Sequence, residues 1–259
     1  MTVISETQPG FVDRMAGERR FFFTMAIVMA AVIVAGFATN LAAGRSSFSL
    51  PVIFHVHAFI FFGWVAIYVT QNALVATGRV ALHRRLGWLA AVWVPMMVAM
   101  GIGLTVYDLR RNGGPFFFDA NEFLFGNPFG ILAFAILATA AIVNRRRTDW
   151  HRRLMYCAMA YITGPGFGRL LPMPLLIPWS WWIAAFAAPS IFPVIGIFYD
   201  ARRNGGRAHP AWFWGIGVAL TAMVLADVVA YSPPGIAITR AVVAGTPGAA
   251  RDMHAHFPP

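Results

Sequence analysis

Polar positions are rare along this chain and apolar ones come in long runs. Runs of about twenty residues recur at 21–43, 51–77, 86–107, 127–144, 153–172, 176–199 and 211–231. As helix, about 20 residues cross the ~30 Å hydrocarbon layer of a bilayer. The runs do not alternate polar with apolar, which rules against a transmembrane barrel. The pattern therefore predicts an all-α polytopic membrane bundle of seven transmembrane helices. It forms one domain over 21–231, between a polar segment at 1–20 and a Pro-, Gly- and Ala-rich tail at 232–259. The tail is expected to be mobile at its end. The first run is too long for a signal-peptide core and has no small-residue cleavage site, so it reads as an uncleaved first span.

Charge then sets an orientation. With the N-terminus in the cytoplasm, the inner segments hold Arg14, Arg19, Arg20, Arg79, Arg84, Arg85, Arg145, Arg146, Arg147, Arg152, Arg153, Arg202, Arg203 and Arg207. The outer side holds Arg45, Arg110, Arg111, Arg169, Arg240 and Arg251, which makes 14 against 6. Such an excess marks the cytoplasmic side. The expected home is a bacterial inner (cytoplasmic) membrane, with the tail outside the cytoplasm. Trp88, Trp150, Trp212 and Trp214 then fall near the inner surface, and Trp179, Trp181 and Trp182 near the outer one. Both are places where indoles collect. The net charge of +10 is explained by these loops, so no nucleic-acid partner is expected.

Composition excludes some chemistry. The chain is 59% hydrophobic and 12% charged, and every basic residue is Arg. Without Lys there is no retinal or pyridoxal Schiff base and no Walker-type phosphate lysine. Cys157 is the single cysteine, so no intrachain disulfide and no thiolate cluster can form.

Two near-repeats stand out. LHRRLGW at 82–88 and DWHRRLMY at 149–156 each precede an apolar run on the predicted cytoplasmic side. YDLRRNGG at 107–114 and YDARRNGG at 199–206 each follow one. Tyr suits an interface, Arg a helix C-terminus, and Asn-Gly-Gly a left-handed stop. The two repeats pair different spans, so they read as end-chemistry used more than once. The Phe-rich outer connection at 108–126 is expected to lie on the outer membrane surface.

Candidate chemistry sits where polar groups enter the spans. Gly164, Pro165, Gly166 and Gly168 interrupt the fifth run, and Pro172, Pro174 and Pro178 follow. Proline frees a carbonyl, and irregular backbone at membrane depth must be buried or line a cavity. The fifth helix is therefore expected to be broken. Arg169 and Asp227 map to similar depths in the outer half, where either alone is costly, so they are expected to pair. Asn40 and His57 join them in an outer cluster. His55 and His57 point about 200° apart on a helix, and His57 is the one expected to face the bundle. Gln71 and Asn72 extend a polar path inward.

Three functional readings follow. The first is a small ligand or lipid-like solute in an intramembrane pocket beside the broken helix, for transport or sensing. Arg169 would then take an anionic or carbonyl group. The second is a haem- or quinone-binding electron-transfer protein. His83 and His151, matched in depth, would ligate haem b, and Met100 is the nearest partner for His57. The third is a structural or assembly subunit, with the HRRL pairs anchored to anionic lipid. A divalent-metal site joining HVH at 55–57 to HAH at 254–256 is a minor option. No nucleophile-and-base set defines an enzyme.

The order HVHAFIFFGWVAIYVTQNALVATGRVALHRRLGW, HRRLMYCAMAYITGPGFGRLLP and YDARRNGGRAHPAWFWG, over about residues 50–215, resembles a bacterial family of uncharacterised multi-span membrane proteins. Its histidine-bearing spans look like those of cytochrome b561-type proteins. The resemblance would carry over His55, His57, Trp64, Gln71, His83, His151, Arg169 and His209, and it brings no established activity. Asp227 lies outside its pattern.

Overall fold

A computed structural model describes residues 9–257, with side chains from residue 16 onward. The N-terminal segment expected at 1–20 therefore lies outside the described residues as far as residue 8, and is helical from Pro9. All the regular structure among the described residues is helical. The helices are α1 (Pro9–Ala42), α2 (Val52–Ala76), α3 (Val80–Asn112), α4 (Ala120–Val143), α5 (Thr148–Ile162), α6 (Gly164–Leu170), α7 (Ser180–Arg203), α8 (Pro210–Ala230) and α9 (Pro233–Val243). Six of them, α1 to α4, α7 and α8, are long and apolar enough to cross a membrane. This is the architecture of an integral membrane protein.

The helices run past the apolar runs because caps, not hydropathy, end them. α3 continues through Arg110 and Arg111 to Asn112 and stops where Gly113 turns left-handed at φ 75°. α7 stops before Asn204, with Gly205 and Gly206 at φ 61° and 86°. Both Asn-Gly-Gly stretches thus act as the stops the sequence predicts. Inside α7, Pro189 offers no N–H, and the preceding turn, Ile183–Ala187, widens to a π-helix. Proline removes a helical donor, and the wider turn lies directly before it, where the Ala188 N–H bonds the Ile183 carbonyl.

The fifth apolar run is divided between α5 and α6. They meet at Thr163, whose angles stay helical (φ −73°, ψ −14°), while its hydroxyl donates to the Ala160 carbonyl. Pro165 fits the first turn of α6, where no donor is needed. The glycines here serve packing. A Cβ on Gly36 of α1 would meet the Gly166 carbonyl oxygen at 2.5 Å, and one on Gly166 would meet the Val32 oxygen at 2.9 Å. Only glycine lets α1 and α6 approach so closely, as small residues do between membrane helices.

α4 packs on α3, α5 and α8, α1 packs on α2 and α6, and α5 packs on α7 and α8. The main core holds Trp64, Phe134, Tyr156 and Trp212, all fully buried. A second core gathers Phe118, Met173, Trp181 and Met223. Polar contacts define two ends. At one end the starts of α3 and α5 meet the end of α7 and the start of α8. At the other, the start of α4 meets the end of α8.

The tail, expected to be mobile at its end, is bonded to the helices as far as Ala255, and its last two residues lie outside the described ones. Ser232 caps α9 by accepting from the Gly235 N–H at 3.1 Å, with Pro233 and Pro234 in the first turn. Arg251 donates to the carbonyls of Gly113 and Phe118, and the Ala255 N–H reaches Asp119 at 2.7 Å. The prolines that suggest mobility in the sequence are helix-start residues. The Phe-rich connection is likewise no surface strip. α4 begins at Ala120, and Phe118 is buried edge-on against Trp181, with ring centres 5.0 Å apart.

Candidate functional site

The second HRRL copy builds an ionic hub. Arg153 is 4% exposed and Asp200 2%. Arg153 Nε and Nη2 donate to the two Asp200 oxygens at 2.7 Å each. Asp200 Oδ2 also accepts from the Trp212 indole at 2.7 Å and the His209 N–H at 3.3 Å. Glu18 bridges to Arg152 at 2.6 Å and to Arg153 at 3.3 Å. A buried pair stands only when its remaining donors and acceptors are filled; Arg153 Nη1 donates to the Asp149 carbonyl at 3.0 Å, while Arg152 Nε beside it is buried without a partner. The hub joins α1, α5, α7 and α8. Beside it, His209 meets Asp149 at 3.0 Å. Burial pushes the Asp149 carboxyl up, but its hydrogen bonds, first that from His209, hold it below the ordinary carboxylate value.

The candidate residues divide among several places. His83 and His151 do come together, with ring centres 6.2 Å apart and planes 76° apart. Gln71 joins them. With its amide turned to satisfy its neighbours, it donates to His83 Nδ1 and to the His83 carbonyl (3.2 Å), and accepts from the Gly87 N–H at 3.0 Å. His83 then carries its proton on Nε2. His151 donates Nδ1–H to the Ala141 carbonyl at 2.8 Å, which leaves a lone pair on its Nε2. One ring offers a donor and the other an acceptor.

On the other side, His57 is half-buried and stacks on Phe61 at 4.1 Å, while His55 is exposed and reaches the Leu50 carbonyl at 3.1 Å. Arg169 donates to the Pro165 carbonyl at 2.9 Å and lies over the Phe37 ring at 4.0 Å. Asp227 accepts from the Trp182 indole at 2.7 Å. The expected Arg169–Asp227 pair is therefore corrected: no ion pair joins them among the described residues. Arg169 turns to the Pro165 carbonyl of α6 and to Phe37 of α1, while Asp227 turns to Trp182 of α7. Arg169 Nε and Asp227 Oδ1 are buried and without a partner. Asn40 sits half-buried in the last turns of α1, and its carbonyl accepts the Arg45 N–H. In the tail, His254 binds Asp119 at 3.0 Å. Among the described residues no three His, Cys, Asp or Glu converge as metal ligands.

The hollows lie elsewhere. One of about 650 Å³ is lined along α4 and α8 by Phe129, Ala133, Ile136, Gly217, Ala222 and Leu225, among others. A second, of about 280 Å³, is lined by Ala140, Asn144, Arg147 and Trp150 with Leu137 and Leu154. The two share Ile136, Trp214 and Val218, so they form one groove, open on the outer face of the bundle. A Cβ on Gly217 would meet nothing within 4 Å, so a missing side chain helps to make the space. From Phe129 to Asn144 the groove follows α4 for roughly 22 Å at ~1.5 Å per residue, somewhat more than one leaflet of a ~30 Å core.

Sequence reasoning misses both the hub and the groove. Acidic residues among the arginines of one predicted face (Glu18, Asp149, Asp200) could have signalled the hub. The groove is an open seam along two helices that pack on each other, and Gly217 alone hints at it. Compared with models of known protein families, with curated proteins and with solved structures, the chain matches none.

Proposed function

We propose that this is a seven-span bacterial inner-membrane protein, N-terminus in the cytoplasm, that holds a lipid-like amphiphile in the groove between α4 and α8. In this reading α5 and α6 together make the fifth crossing, broken at Thr163. Their start lies with the Arg153–Asp200 end, and Met173, just beyond them, packs with Phe118 and Trp181 toward the other. The resemblance over residues 50–215 is consistent with this membrane reading and adds no activity to it.

The groove carries the functional part. Its size falls in the ~300–1,000 Å³ of small-molecule pockets. Its body is mostly apolar, with Thr221 along α8, and Asn144, Arg147 and Trp150 stand at one mouth. That arrangement suits a molecule with a chain and a head. The ligand site expected from the sequence thus moves away from Gly164–Gly168, where Gly164 and Gly166 serve close packing, to the seam of α4 and α8. The test is native mass spectrometry of protein purified in mild detergent. Retained amphiphile of discrete mass in the wild type, lost in Gly217→Leu, supports the reading. Equal retention by both overturns it.

A second reading has its own observation. The His83–His151 pair offers an Nε2–H beside an Nε2 lone pair, next to Gln71. This suits a quinone carbonyl and a proton path better than haem, since a ligating His83 would need its Nε2 proton removed and the Gln71 amide turned over. An absorption spectrum, oxidised and reduced, separates the two. A reduced α-band lost in His151→Ala favours haem. A colourless protein that retains quinone, lost in the same variant, favours the relay.

A further inference from the structure

We infer that the groove between α4 and α8 takes an anionic glycerophospholipid, its phosphate on Arg147 and one acyl chain along Gly217 and Ala222. This rests on the groove reading above and names the class of molecule that fills it. Arg147 lines the mouth, exposed, with its guanidinium 5.2 Å from the Trp150 ring centre. Among the described residues it has no carboxylate partner. The nearby Asp149 carboxylate is engaged by His209. Arg145 is turned away, over Trp88 at 5.8 Å and toward the Ile142 carbonyl.

The mouth supplies donors as well as charge. Trp150 and Trp214 both line it, and neither indole N–H is used within the described residues, whereas those of Trp93, Trp182 and Trp212 are. A free guanidinium and two free indole donors above an apolar channel match a phosphodiester with its ester oxygens. An anionic head gives Arg147 a counter-charge that an uncharged head cannot supply. Indoles and arginines also sit at the headgroup level of bilayers, where each Arg near anionic lipid adds to the attraction.

The experiment titrates delipidated protein in detergent with phosphatidylglycerol and phosphatidylcholine of equal chain length, read by native mass spectrometry. The wild type should bind phosphatidylglycerol about fivefold more tightly, the size expected for one Arg contact. Arg147→Gln should lose that preference while still binding both lipids. Gly217→Leu, and Ala222→Phe from the far end, should weaken both. Equal wild-type binding of the two lipids, both lost in Gly217→Leu, would overturn the headgroup assignment and leave the groove standing. Binding unchanged in both groove variants would overturn the groove as well. An equal loss of preference in Arg146→Gln, whose side chain does not line the groove, would make the effect diffuse charge and would also overturn the assignment. Thermal melting of each variant checks that it is folded.

Discussion

Arg153 and Asp200 meet through two hydrogen bonds of 2.7 Å in the interior of the bundle, each almost fully buried. A forked guanidinium on a carboxylate is the strongest common ion-pair geometry. Here it ties the start of α5 to the end of α7, while Trp212 brings in α8. Removing one partner leaves a buried charge unmatched. Asp200→Asn or Arg153→Leu should therefore destabilise by about 3–5 kcal/mol, read as a lowered melting temperature in detergent. Arg153→Lys should rescue only part of that, because Lys cannot make the two-pronged contact. A neutral result for Asp200→Asn would show that the hub does not hold the fold.

The close approach of α1 and α6 gives a steric prediction. Gly166→Val would place side-chain atoms against the Val32 carbonyl, which a Cβ already approaches to 2.9 Å. Backbone cannot yield as a flexible side chain can, so overpacking should cost about 1–3 kcal/mol or more. Gly217→Ala, with nothing within 4 Å of its new Cβ, should leave the melting temperature close to that of the wild type. Equal losses at the two glycines would contradict the packing described.

Much of this is legible in the chain. Apolar runs place the helices because hydrocarbon demands them, and both Asn-Gly-Gly stops end helices as their chemistry requires. Equal depth allows His83 to meet His151, and the fold supplies the azimuth that brings their rings together. Equal depth fails for Arg169 and Asp227, because depth along a helix says nothing of azimuth, and Phe37 and Trp182 lie nearer. In the sequence the hub looks like loop charge. Within an Arg-rich loop Arg153 resembles Arg146, and only the fold shows that one is buried and the other exposed. The tail misleads for a related reason: Pro-Pro-Gly breaks a helix from within but starts one after a Ser cap.

That tail is stitched to the α3–α4 connection by Arg251. Arg251→Ala should remove the bonds to the Gly113 and Phe118 carbonyls and expose residues 244–257 to limited proteolysis, with the α5–α7–α8 hub intact. Cleavage there at the wild-type rate would count against the stitch.

Asp149 gives a pH test. Its folded value lies below the ordinary one, so its bond to His209 adds stability above the unfolded value of about 3.9. That stability is lost as pH falls through the lower, folded value. The melting gap between wild type and Asp149→Asn should be present at pH 6 and shrink below about pH 4. The gap should be small, since Asp149 is about half exposed and water screens the pair. A gap that widens in acid would mean that folding raises the Asp149 value instead of lowering it.

Photo-crosslinking from inside the groove tests most directly whether it is a built binding site. A benzophenone side chain placed at Ala222 lines the groove, while one at Val228, 64% exposed and off the groove, faces bulk lipid. Irradiated in the membrane before solubilisation, Ala222 should yield an adduct of one discrete amphiphile mass, and Val228 only a spread of lipid masses. Equal yields of the same mixed lipids at both positions would contradict a built binding site.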